Sequence, residues 1–324
     1  MTLLAAGPAQ AAPSSGFFLD EVFQAEMGVG FNEGVQAQAV AGDGTIFVGG
    51  RFTTADGVQS AGLARVSEDR AVDPVFGSAL GAGYNNFVRS IAVRPDGSLV
   101  VGGQYTTVSG TPANRISIVS QTGVVDQVFA QAAGAGFNNT VNSVVALGDG
   151  SFLAGGYFTE FNGTGVNGVA RILPDGQLDA TFAANLGDGF NGVVRSIDVD
   201  AEGNIFVGGE FTSVNGILAS RIARLATDGT PDEAFAAAIG TGFVSVLPNG
   251  DLAVGGQFST FNGVPTGRVA VLNRDGDPDL NSSRGWGPER IVSFVSCSAR
   301  KTEGSWSAER STPSTEHRRP VSRG

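Results

Sequence analysis

Four residue types are nearly missing from this chain. It holds one Cys, one His, two Trp and a single Lys, Lys301. Cys297, His317, Trp286 and Trp306 all lie, like Lys301, after residue 280. The first 280 residues therefore contain no thiol, no imidazole and no ammonium side chain. That excludes disulfides there, and with them most metal centres and most nucleophile chemistry. A body without cysteine is stable in either redox compartment, so cysteine usage assigns none. No run of about 18 apolar residues occurs, which excludes a transmembrane helix and with it membrane insertion. We expect no cofactor and no metal.

What is present is mostly turn and core. Gly is high at 49 residues, and charged residues make up only 16%. Twenty-two Phe, with regular Val, Ile and Leu, supply a core and argue against disorder. The net charge of −11 is unevenly placed. Residues 1–280 hold 12 Arg and 27 acids, a balance of −15; residues 281–324 hold 8 basic residues and 4 acids, a balance of +4. The acidic body should repel nucleic acid and anionic membranes.

One period organises the chain. Gly-Gly recurs at 49–50, 102–103, 155–156, 208–209 and 255–256, in steps of 53, 53, 53 and 47. Gly-aromatic pairs at Gly30, Gly83, Gly136, Gly189 and Gly242 are always 53 apart. So are the Asp-x-x-Phe elements that begin at Asp20, Asp73, Asp126, Asp179 and Asp232. Three markers in one register exclude coincidence. The last step of 47 places a six-residue deletion between Phe243 and Gly255.

The fourth copy shows the unit. Val193 to Val199 and Ile205 to Phe211 read as strands around a Glu202-Gly203 turn. Asn215-Gly216 turns the chain toward a third strand, Ser220 to Leu225. Asp228-Gly229 then leads to Asp-x-x-Phe, read as a short fourth strand whose Asp caps a turn and whose Phe enters a core between units. Such turn dipeptides between short β-rich runs are hairpin signals. Four short strands in some 40–55 residues is the arithmetic of a propeller blade. The fold expected is all-β, a propeller of about five four-stranded blades over residues 17–280. A recurring Gly pair inside a strand implies close backbone packing or a bulge.

These residues resemble the delta-60 repeat family of bacterial β-propellers. The likeness rests on Ile91-Ala92-Val93, Asp96-Gly97 and Leu99-Val100-Val101-Gly102-Gly103. It continues in Ala170-Arg171-Ile172, Asp175-Gly176, Leu178-Asp179 and Phe182, and again in Ala223-Arg224-Leu225, Asp228-Gly229 and Phe235. It spans about residues 17–279. The resemblance implies a secreted or cell-surface bacterial protein and carries no enzymatic activity over. Kelch repeats, the second choice, would bring a Trp per repeat, and no Trp precedes residue 281.

The ends differ from the body. Residues 1–16 read as a truncated signal peptide: Leu3 to Ala6 closes an apolar core, Ala9-Gln10-Ala11 is a cleavage site, and the basic region is missing. A plain Ala/Pro leader is the alternative. The tail 281–324 turns abruptly to Ser, Arg, Trp, Cys and His, as an out-of-frame reading would; a basic disordered tail is the alternative. The Leu19–Phe23 element would complete the last blade and close a five-bladed ring; a truncated piece of a longer ring is the equal alternative.

Candidate chemistry is sparse. Asn273 to Asp279 resembles a calcium loop but lacks the downstream Glu and carries Pro278, so an ordinary turn is favoured. Asp198, Asp200, Glu202 and Glu210 could form the carboxylate pair of a glycoside hydrolase, the alternative function; a solvated strand edge is the plainer reading. The slot after each Gly-Gly holds Arg51, Gln104, Tyr157, Glu210 and Gln257. It varies while its neighbours do not, which is how a ring would present a ligand-binding surface; an unconstrained exposed position is the plainer reading. Arg115, Arg171, Arg221, Arg224 and Arg268 are expected to pair with nearby Asp. The reading is thus a monomeric, non-catalytic binding or structural module for an unknown protein or carbohydrate ligand.

Overall fold

The structure, a computed structural model, describes residues 30–277 apart from 68, 70, 236–241, 257–259, 262–263 and 266–267. The leader, the Leu19–Phe23 element and the tail from Asn281 lie outside these residues.

The first blade comprises β1 (Val35–Val40), β2 (Ile46–Gly50), the hairpin β3 (Thr54–Ala55) and β4 (Val58–Gln59), and β5 (Leu63–Val66), followed by helix α1 (Pro74–Leu80). The second has β6 (Val88–Val93), β7 (Leu99–Gly103), β8 (Thr107–Val108), β9 (Thr111–Pro112) and β10 (Ile116–Val119), then α2 (Gln127–Ala132). The third has β11 (Val141–Ala146), β12 (Phe152–Gly156), β13 (Glu160–Phe161), β14 (Thr164–Gly165) and β15 (Val169–Ile172), then α3 (Ala180–Leu186). The fourth has β16 (Val194–Val199), β17 (Ile205–Gly209), β18 (Ser213–Val214), β19 (Ile217–Leu218) and β20 (Ile222–Leu225). The fifth has β21 (Gly242–Val246), β22 (Leu252–Gly256), β23 (Thr260–Phe261), β24 (Val264–Pro265) and β25 (Val269–Leu272).

Every main sheet is antiparallel and ordered first, second, fifth strand. The first strands pack on one another in sequence, β1 on β6, β6 on β11, β11 on β16 and β16 on β21. They are the innermost strands of the expected all-β propeller. That packing is not repeated between the fifth blade and the first among the described residues.

One detail of the blade differs. The Asp-x-x-Phe segment is a short helix in three copies, not a fourth strand. Asp73, Asp126 and Asp179 are N-caps whose carboxylates accept hydrogen bonds from two of the N–H groups that a helix start leaves free. Pro74 at the first helical position suits its fixed φ. The Phe enters the core between blades as expected: Phe76 meets Phe47, and Phe129 meets Phe152 at 6.0 Å between centroids.

The hairpin turns follow from their dipeptides. Asn215 and Gly216 both have positive φ (47° and 76°), as a type I′ turn requires. The Gly doublets divide two tasks. A Cβ on the first Gly would strike the next innermost strand: at Gly102 it would lie 2.7 Å from Val141 Cγ1, and at Gly155 2.7 Å from Val194 Cγ1. A Cβ on the second would strike a backbone oxygen of its own blade, that of Phe87 for Gly103 and of Thr140 for Gly156. The doublet thus seats the neighbouring blade and admits a bulge in the partner strand, the two roles expected of it.

Among the described residues, the two ends of the array are uncovered. Val88, Val141 and Val194 are fully buried, whereas the equivalent Val35 is 47% exposed. A Cβ added at Gly255, the equivalent of Gly102, would meet nothing within 4 Å among the described residues.

Candidate functional site

The innermost strands carry the candidate site. In blades one to four the ladder between first and second strand slips by one residue, as at Val88/Ser90, Val141/Ser143 and Val194/Ser196. The extra residue is Gln36, Arg89, Asn142 or Arg195. A bulge re-aims the side chain it carries. Here four bulges at one register present four side chains at the same end of the axis. In the fifth blade the ladder runs unbroken from Gly242 to Val246, a result of the six-residue deletion.

The slot residues join them. The backbone N–H groups of Arg51, Gln104, Tyr157 and Glu210 donate to Gly34, Phe87, Thr140 and Val193, the residues just before each innermost strand. Slot and bulge therefore sit side by side in each of these four blades. In the fourth, Arg195 Nε donates to Glu210 at 3.0 Å. Phe87 joins the first two blades: the guanidinium of Arg51 lies 5.1 Å and that of Arg89 5.8 Å from its ring centroid. Arg51 also reaches Glu33 at 3.5 Å. Asn142 donates from Nδ2 to Val194 O across the blade boundary at 2.8 Å. Burial, with the charge of Arg195 beside it, lowers the pKa of Arg89 from the usual arginine value. Gln257, the fifth slot, lies outside the described residues.

A ladder of serines lies next to the bulges. Ser90, Ser143 and Ser196 accept from the backbone N–H of Val144, Ile197 and Val244 at 3.0, 3.1 and 2.8 Å. Each of these innermost strands is thereby stitched to the next.

The acidic group of the fourth copy does not form a pair of free carboxylates. Asp198 accepts from Val246 N and Ser245 Oγ. Asp200 is buried and accepts from the N–H groups of Glu202 and Asn204 and from Asn204 Nδ2. Glu202 pairs with Arg274, and Glu210 with Arg195. Asn273 caps an ordinary turn, accepting from Asp275 N and Asp277 N, while Pro278 and Asp279 lie outside the described residues. No three His, Cys, Asp or Glu side chains converge among the described residues. Of the recurrent arginines, Arg171 and Arg224 pair with Asp179 and Asp232 as expected. Arg115, Arg221 and Arg268 instead occupy positive-φ positions (67°, 74° and 63°), where blades one and three have Gly62 and Gly168.

The family model described as "Domain of unknown function (DUF5122) beta-propeller" matches residues 41–76, 94–117, 147–182, 201–235 and 247–281, just over half of the chain. The chain belongs to this family. One matched segment falls in each blade. No curated protein matches. Among solved structures, the chain is similar to a gluconolactonase from Xanthomonas campestris at 20% identity and a TM-score of 0.45, covering 78% of this chain and 76% of that one. It is also similar to a putative gluconolactonase at 16% identity and a TM-score of 0.42, covering 75% and 76%. A virginiamycin B lyase from Staphylococcus aureus follows at 13% and 0.40, covering 77% and 71%. These likenesses concern the fold. Proteins named as enzymes stand among these folds, so the expectation of a non-catalytic chain is withdrawn: the propeller fold does not carry it.

The slot was legible in the sequence. The bulge residues were missed, since Gln36, Arg89, Asn142 and Arg195 sit inside strands that read as regular. The available signal was a varying position between a constant Val and a near-constant Ser, as in Val88-Arg89-Ser90 and Val194-Arg195-Ser196.

Proposed function

We propose that the chain is a secreted or cell-surface binding propeller of the delta-60 repeat type, with its recognition surface at the bulge end of the axis. One observation supports this above others. On a frame whose Gly, Val and Ser positions repeat, the bulge and slot positions together present Gln36, Arg51, Arg89, Gln104, Asn142, Tyr157, Arg195 and Glu210. Varying side chains set side by side on a repeating frame are how a repeat protein varies its ligand without altering its fold. The ligand classes that suit it are a carbohydrate or a protein segment. Tyr157, 58% exposed, offers a flat apolar face, and the amides and guanidiniums offer donors.

The test is a binding screen of the full chain on arrayed glycans and peptides. Tyr157→Ala and Glu210→Gln should each weaken capture at least tenfold. Asp175→Asn, in a turn at the opposite end, should leave capture unchanged. Loss with Asp175→Asn alone would place recognition elsewhere and refute the proposal.

A further inference from the structure

The bulge end holds a cation that no described residue neutralises. Arg89 Nε is buried and has no hydrogen-bond partner. Among the described residues the Arg89 guanidinium makes no ion pair, and its one aromatic neighbour is Phe87. The other bulge cation, Arg195, is already paired to Glu210, and Arg51 to Glu33. Asn142 lies on the bulge of the blade between Arg89 and Arg195, held by its bond to Val194 O. This arrangement is costly. Two guanidiniums in electrostatic reach repel, and a buried donor without a partner forfeits its hydration. Residues 1–280 carry 27 acids for 12 arginines, so counterions are abundant in the chain, yet none is placed here among the described residues.

We propose that Arg89, flanked by Asn142 and Arg195, binds one carboxylate of the ligand. This rests on the reading of the bulge end as the recognition surface. A guanidinium presents a planar fork of donors that matches a carboxylate. A single negative charge fits better than a phosphate dianion or a polyanion, because residues 1–280 carry 27 acids against 12 arginines and the body as a whole repels multiple negative charges. The carboxylate can come from a uronic-acid sugar or from the C-terminus of a peptide.

Titration calorimetry on the full chain tests this with two probes. One is the monosaccharide galacturonic acid, set against its methyl ester; the other is a short peptide with a free C-terminus, set against its amide. We expect one acid probe to bind at least tenfold more tightly than its neutralised form, and R89Q to abolish that difference. We also expect unliganded R89Q to melt no lower than the parent, since an uncompensated cation is removed. Equal binding of the acid and neutral forms, or no binding by either acid, overturns the proposal. So does a lowered melting temperature in R89Q, which would make Arg89 a structural residue. Binding lost in Y157A but kept in R89Q refutes the carboxylate while leaving the recognition surface standing. Binding untouched by either variant refutes both.

Discussion

The first Gly of each doublet provides an experiment with its own control. Gly155 and Gly255 occupy the same place in the repeat. At Gly155 an added Cβ would lie 2.6 Å from Ile197 Cδ1 and 2.7 Å from Val194 Cγ1; at Gly255 it meets nothing among the described residues. Val194 is fully buried and Ile197 is 5% exposed, so neither can retreat into solvent. Overpacking of this kind costs about 1–3 kcal/mol. Replacing a mid-strand Gly by Ala also returns about 0.5–1 kcal/mol by reducing the freedom of the unfolded chain. Gly155→Ala should therefore destabilise by about 1–2 kcal/mol net, and Gly255→Ala should stabilise by about 0.5 kcal/mol. Urea unfolding followed by far-ultraviolet dichroism gives the global term. Amide exchange over Val194 to Val199 locates it, which matters because repeat arrays can unfold piecewise. Equal effects of the two substitutions would refute the reasoning, because they would show that the contact with the next blade carries no weight.

Further outcomes follow from other contacts. In blade two, Tyr84, Tyr105 and Ser117 share buried hydroxyl bonds where blade three has Phe137, Phe158 and Ala170. Ser117→Ala alone should cost about 1–3 kcal/mol by stranding the buried Tyr84 hydroxyl, whereas the triple change Y84F/Y105F/S117A should be near neutral in thermal unfolding. Ser143→Ala should cost about 1 kcal/mol and speed amide exchange at Ile197, whose N–H loses its acceptor. Asp126→Ala should cost about 1 kcal/mol by uncapping α2, read by the same denaturation. The hydrogen bond from Ser98 holds the Asp96 carboxyl below its usual range. A lowered folded-state pKa contributes stability that is present above the unfolded value and lost as pH falls through the folded one. Melting temperatures should thus drop below about pH 4, and Asp96→Asn should flatten part of that drop.

The repeat made much of this architecture legible. A single copy of Asn215-Gly216 predicts a turn; five copies of its register predict a propeller. The Gly pairs could be assigned to close packing because only backbone crowding explains a strand-weakening residue repeated at one phase. The helices were not legible, since a four-residue Asp-x-x-Phe element carries no period of its own. Asp73-Pro74 was their best signal, an N-cap followed by a first-turn proline. The bulges escaped for a different reason. A bulge is a relation between two strands, and nothing in Val-Arg-Ser alone shows that its partner counts one residue fewer. Glu210 was found and Arg195 was not, although they touch.

The seating of Val on Gly between blades has a genetic consequence. Each of the first four units brings its own recess and its own filling Val, so any of these four fits any other. Gain or loss of a whole repeat keeps every junction intact, while a shift by a few residues does not. Ligand-contacting positions can therefore diverge after duplication without renegotiating the junctions. The fifth blade shows the contrary case: six residues were lost inside a unit, and its bulge went with them.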